Sequence, residues 1–340
     1  MLLRYLEKNI LRSYQTKFKP AFALSNKHIQ TLFSTLFRQK IKLDFSPEIF
    51  ELDDGDFVDC YWIDKPKKNS NKPIVILFHG LEGSYNSPYI QGAMDQLHQN
   101  GFSCVLMHFR GCSNKENRLP RLYHSGDTAD TRAFIDYLKD NYPNSKLYAI
   151  GYSMGGNMLL KLLGEYKEDS PLSGAISISA PLQLDISANT IDKGSSMFYQ
   201  KYLLKHLKQS LSKKYDRFNM EDIIGFKKKD ISKIDSIYKF DHIYTAKIHN
   251  FKTAKNYYKQ SSAKQYLKYI CTPTLIIHAL DDPFMHRSIL PNKNEISKYI
   301  TMEVYKNGGH VGFISGNIFK PKYWLDKRVV EYFKYLEEIH

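Results

Sequence analysis

Apolar residues in this chain fall into short, dense runs separated by polar turns. Five stand out: IVILFH (74–79), SCVLMHF (103–109), KLYAIG (146–151), GAISIS (174–179) and PTLIIHA (273–279). Each is short for a helix and apolar at most positions, as a strand covered on both faces must be. A weaker sixth run is TMEVYK (301–306). The stretches 89–100, 127–140, 157–166 and 322–338 carry apolar residues at helical spacing. Strand and helix in alternation predict a mostly parallel central sheet with helices on both faces.

The alternation stops between Leu182 and Tyr269, where apolar positions such as Phe198, Tyr202, Leu203 and Leu207 follow a helical spacing and no buried strand is evident. The pattern therefore predicts three parts: an N-terminal arm with the first strands of the sheet (1–72), a core made of 73–182 and 270–340, and a helical insertion (183–269). An insertion at the carboxyl edge of a parallel sheet overhangs the crevice where such sheets bind ligands. The polar segment KPKKNSNKP (65–73) reads as a surface loop ahead of the first strong strand.

Charge changes the picture at two places. The net formal charge is +14, but residues 193–269 hold eighteen Lys or Arg against six acids, and residues 1–40 hold eight against Glu7 alone. The rest of the chain is net acidic. Basic segments of this kind suit an anionic lipid surface, and MLLRYLEKNILRSYQTKFK (1–19) is suited to lie on one. No helix-turn-helix, RNP or zinc-finger pattern is present, so nucleic acid is not an expected partner. The four cysteines, Cys60, Cys104, Cys112 and Cys271, form no CxxC pair. They read as free thiols, with Cys104 and Cys271 buried. With no apolar run of membrane-spanning length and no secretory leader pattern, the expectation is a cytoplasmic protein.

The sharpest chemical signal is Gly151-Tyr152-Ser153-Met154-Gly155, placed between a strand and a helix. G-x-S-x-G in that context is the nucleophile turn of the α/β-hydrolase fold. It lifts a serine hydroxyl out of the sheet and sets it at a helix N-terminus. A serine needs a base, and in this fold the base comes last in the chain, after the acid. His310, in the Gly-rich GGHVGF (308–313), has that order and a loop position beyond a strand. His79, His108 and His278 lie in strands and read as structural. The orienting acid follows PTLIIHA, where Asp281 and Asp282 are adjacent; Asp282, before Pro283, fits the usual spacing better, with Asp281 the alternative. Oxyanion donors are expected from the backbone N–H of Met154 and of Leu81, in HGLEGS (79–84). Arg110 reads as a loop brace, Cys112 beside it as a thiol of lowered pKa, and Asp127 as a helix N-cap.

Together the motifs NKHIQTLFSTLFR (26–38), ELDDGDFVDCYW (51–62), HGLEGS (79–84), FRGCS (109–113), YHSGDTAD (123–130), GYSMGGN (151–157), DDPF (281–284) and GGHVGF (308–313) resemble the YheT-like α/β hydrolases. These are bacterial esterases related to eukaryotic α/β-hydrolase-domain acyl hydrolases, some of which act on phospholipids. The resemblance implies a Ser–Asp–His triad at Ser153, Asp282 and His310 and a helical cap over residues 183–269, here unusually rich in Lys and Tyr. The expected activity is hydrolysis of short- to medium-chain carboxylic esters through an acyl-enzyme, without metal or organic cofactor. The alternatives are a lipase or phospholipase at a membrane surface, or a binding protein that keeps the fold without catalysis.

Overall fold

The structure, a computed structural model, describes residues 17–339. The membrane-suited segment 1–19 falls almost entirely outside them. One sheet of eight strands organises the molecule. Its strands are β1 (Ser46–Glu51), β2 (Phe57–Ile63), β3 (Ile74–Phe78), β4 (Ser103–Met107), β5 (Leu147–Tyr152), β6 (Leu172–Ile178), β7 (Thr274–Ala279) and β8 (Ile300–Tyr305). Their spatial order is β1-β2-β4-β3-β5-β6-β7-β8. β1 and β2 form an antiparallel hairpin, β2 runs antiparallel to β4, and every other pair is parallel. A two-stranded ribbon, β9 (Ile314–Gly316) and β10 (Pro321–Tyr323), lies apart from it.

The helices of eight residues or more are α1 (Lys27–Phe37), α2 (Pro88–Gln99), α3 (Ala129–Asn141), α4 (Met154–Tyr166), α5 (Leu184–Ile191), α6 (Met197–Arg217), α7 (Ala254–Ser261) and α8 (Trp324–Ile339). Strand alternation sorts the core into two layers. Ile74, Ile76 and Phe78 of β3 pack with Phe134, Leu138, Met158 and Leu159 of α3 and α4. Val75 and Leu77 pack on the other face with Ile90, Met94, Val329 and Phe333 of α2 and α8. Strands sandwiched this way are apolar at most positions, which is why their runs stand out in the sequence.

The chain passes from β3 to β4 on one side, then crosses back to β5 on the other. Ligands bind open α/β sheets at such a switch point, outside the carboxyl ends of the strands. The connection from β6 to β7 is the long one. It holds α5, α6, α7 and shorter helical turns and no strand, and it packs Leu204, Leu207 and Leu211 of α6 into the same core cluster as Met154. Among the described residues, no helix is long and apolar enough to cross a membrane.

Arg110, just past β4, ties this edge together. It is 2% exposed. Its Nε and Nη2 donate to the two oxygens of Asp130 at 2.6 Å each, and its Nη1 donates to Asp56 at 2.9 Å and Asp54 at 2.8 Å. Asp56 also accepts from Asn117 Nδ2 at 2.6 Å and Arg118 N at 2.7 Å. The fully buried Lys214 of α6 donates to Asn117 Oδ1 and, at 2.8 Å, to the Leu119 carbonyl, so the insertion is pinned to the same cluster. Removing one member of a buried charge network leaves the others uncompensated. Replacing Arg110 with Ala is expected to destabilise the fold by about 3–5 kcal/mol. Urea unfolding checks this, and a loss below about 1 kcal/mol, the scale of a surface pair, would contradict it.

Candidate active site

Ser153 caps β5 and opens α4 with φ 50° and ψ −117°, a backbone conformation that a residue with a side chain adopts only under constraint. The flanking glycines explain how the turn closes. A Cβ on Gly151 would stand 2.4 Å from the Gly155 carbonyl oxygen, and one on Gly155 would stand 2.6 Å from the His79 oxygen. The Ser153 N–H is held by the Ile178 carbonyl at 2.8 Å.

His310, 157 residues away in sequence, places Nε2 3.0 Å from Ser153 Oγ. Its Nδ1 lies 2.8 Å from Asp282 Oδ2. A carboxylate can only accept, so Nδ1 carries the proton and Nε2 accepts from the serine hydroxyl. The other oxygen of Asp282 accepts from Phe284 N at 2.8 Å. The Phe284 ring stacks on the imidazole, with centroids 4.0 Å apart and planes 12° apart. The Asp282 side chain is fully buried and that of His310 is 9% exposed. Asp281 turns elsewhere: it accepts from Gly309 N at 2.9 Å and braces the loop that carries the histidine.

A contribution invisible to motif reasoning comes from α1. Thr31 Oγ1 accepts the His310 N–H at 2.9 Å, and the buried Gln30 donates to the Leu24 and Ile314 carbonyls and accepts from Ile314 N. Ser179 Oγ accepts from Val311 N at 3.1 Å. The only sequence signal for Gln30 and Thr31 is the NKHIQT stretch inside a motif carried by resemblance.

Leu81 and Met154, named as oxyanion donors, both line the cavity with Ser153 and His310. Met154 is the first residue of α4, so its N–H has no intrahelical acceptor. His79 and His108, expected within strands, stand one residue past β3 and β4, and both are buried and bonded to backbone. Burial lowers the His79 pKa to about 3; Nδ1 bonds the Gly80 carbonyl at 2.7 Å and Nε2 accepts from Phe109 N. Burial likewise lowers His108 to about 4, and it spans the Asp59 carbonyl and Tyr85 N.

Three readings need correction. The Cys112 thiol is pushed well up, not down, by burial and then by the nearby Glu82 carboxylate, while the Arg110 guanidinium pairs with three aspartates instead. Asp127 is not an N-cap: α3 begins after Thr128, and Asp127 instead accepts from Arg121 at 3.2 Å. Cys271 is partly exposed, not buried. His124, Asp127 and His249 bring potential ligand atoms within 4.8 Å of one another. The Arg121 guanidinium already supplies the positive charge there, so the cluster is not assigned a metal.

The site opens into a cavity of about 500 Å³, inside the range of small-ligand pockets. The insertion supplies a large part of its wall, mostly apolar, including Leu184, Ile191, Leu203, Phe240 and Tyr244, with Asp241 among the few polar groups.

Fold and site together define a class. Residues 73–317 match the α/β hydrolase fold family, and the chain belongs to it. The YheT protein of Escherichia coli K12 is 39% identical over 326 residues, covering 96% of this chain and 95% of that one, so the resemblance read from the motifs holds along the full length compared. Monoacylglycerol lipase of Saccharomyces cerevisiae is 29% identical over 81% of this chain and 64% of its own length. Phospholipase ABHD3 of Mus musculus is 27% identical over 84% and 71%. Among solved structures, the Pyrococcus furiosus esterase Pf2001 superposes with a TM-score of 0.54 at 19% identity, covering 86% of this chain and 92% of that one. At that identity the likeness speaks to the fold.

Proposed function

We propose that this protein hydrolyses short- to medium-chain carboxylic esters through a covalent acyl-enzyme. The observation that carries the reading is the unbroken relay from Ser153 Oγ through His310 to Asp282, at 3.0 Å and 2.8 Å, on the wall of an apolar cavity. Ser153 attacks the ester carbonyl as His310 Nε2 takes its proton. Asp282 holds the ring and stabilises the imidazolium. The negative charge on the carbonyl oxygen is met by the N–H groups of Leu81 and Met154, each such donor worth about 3–4 kcal/mol. His310 then gives its proton to the leaving alkoxide. In the second half, water loses a proton to His310 and attacks the acyl carbon, and Ser153 recovers its hydroxyl as the acid leaves. Relatives named as a monoacylglycerol lipase and a phospholipase support an acyl substrate.

A series of p-nitrophenyl esters tests this. Wild type is expected to favour butyrate to octanoate over palmitate. Ser153→Ala is expected to lower kcat by at least about 10⁴-fold with an unchanged circular dichroism spectrum. Undiminished turnover in that variant would refute the assignment.

A second reading, action at a lipid surface, is favoured by the rim of the same cavity. Leu36, Phe198 and Tyr202 line the cavity yet are 65%, 67% and 60% exposed, and Phe37 is 68% exposed. Lys201 and Lys205 flank Phe198 and Tyr202 on α6 and are exposed. Apolar residues ringed by cations fit an anionic bilayer. In co-sedimentation, phosphatidylglycerol vesicles are expected to bind the protein more than phosphatidylcholine vesicles do, and Phe198→Glu is expected to release it. Equal, salt-insensitive partition between the two vesicle types would remove this reading.

A further inference from the structure

The loop between β3 and α2 carries Leu81, and its neighbours are held in an unusual way. Glu82 sits at φ 54°, in the left-handed region that a side chain disfavours. Its N–H donates to Tyr123 Oη at 2.9 Å, and the same hydroxyl donates back to Glu82 Oε1 at 2.8 Å. Two residues before Glu82, Gly80 N–H donates to Tyr89 Oη at 2.9 Å, and one residue after it Gly83 N–H donates to the Gly80 carbonyl at 3.0 Å. Among the described residues, the Leu81 N–H alone of these four amides finds no acceptor. The remaining oxygen of Glu82 accepts from Ser210 Oγ of α6 at 3.0 Å. The Tyr123 ring is stacked on Phe109, with centroids 5.2 Å and planes 16° apart, so its hydroxyl is held from behind.

We propose that Tyr123 and Glu82 are positioning residues that lock this loop with the Leu81 N–H presented to the reacting oxygen, and that Ser210 couples the insertion to that lock. The inference rests on the ester-hydrolase reading. A strained residue persists where its surroundings over-determine it. Here the reciprocal Tyr123–Glu82 pair does so: it takes up the Glu82 N–H, while Tyr89 and the Gly80 carbonyl take up those of Gly80 and Gly83, and the Leu81 N–H is left over. Because a displaced donor still permits substrate to bind, the loss falls on the transition state.

Steady-state kinetics on p-nitrophenyl butyrate with the full chain test this. Tyr123→Phe keeps the ring and removes the hydroxyl. It is expected to lower kcat about 10–100-fold, somewhat less than deleting an oxyanion donor outright, with KM changed less than about threefold. Glu82→Ala is expected to behave alike. Glu82→Gln, which keeps an acceptor for Tyr123 and a polar partner for Ser210, is expected to stay within about threefold of wild type. If Ser153→Ala abolishes turnover but Tyr123→Phe and Glu82→Ala retain kcat, the positioning role is overturned and the hydrolase reading stands. If Ser153→Ala is itself fully active, both fall. A change confined to KM, or failure of Glu82→Gln to rescue the Glu82→Ala loss, also overturns the role. Should Tyr123→Phe fail to fold, the two Glu82 variants decide alone.

Discussion

The candidate site depends on a serine held where a side chain normally resists being held. Ser153 sits at φ 50° because β5 must give way to α4 without a spacer, and the turn is so tight that a Cβ on either flanking glycine would strike backbone. The strain sets the hydroxyl at the end of the sheet and makes Met154 the first amide of a helix. A looser turn would relieve the strain and lose the placement. The sheet supports it from beneath through the Ile178 carbonyl, which binds the Ser153 N–H.

Everything else meets that hydroxyl from a different strand end. β3 brings the Leu81 loop, β7 brings Asp282 and β8 brings His310, so the parallel sheet acts as a jig whose carboxyl edge collects residues distant in sequence. The histidine loop also leans on α1, where Thr31 takes the His310 N–H and Gln30 fixes Ile314. The aspartate pair divides its labour: Asp282 faces the imidazole and Asp281 anchors the loop. Arg110 and Lys214, both buried, join the hairpin, the loops after β4 and the insertion into one charged cluster at the same edge.

The central strands are legible in the sequence because burial on both faces leaves few polar positions, such as Ser103, Ser177 and Thr274, among the apolar ones. β1 and β2 lack that signature. β1 is an edge strand with the mixed burial of SPEIFE, and β2 carries a buried Asp59 whose carboxylate is met by Ser113 and Lys115 from a distant loop. Ser153 and His310 follow from motif and chain order. The choice between Asp281 and Asp282 turns on which one faces the imidazole, a fact of tertiary geometry. Readings based on sequence neighbours alone failed for the same reason: Arg110 next to Cys112 in the chain directs its guanidinium to Asp56 and Asp130, and Asp127 before a helix is claimed by Arg121.

The insertion supplies a large part of the cavity wall and is also where this chain is most basic. The central claim is that Ser153 is made nucleophilic by His310. Intact-mass and peptide mapping after brief exposure to a fluorophosphonate probe tests it most directly. One adduct on Ser153, formed far more slowly in His310→Ala, is the predicted result. A protein that turns over esters while Ser153 stays unlabelled, or that labels at another residue instead, would contradict it.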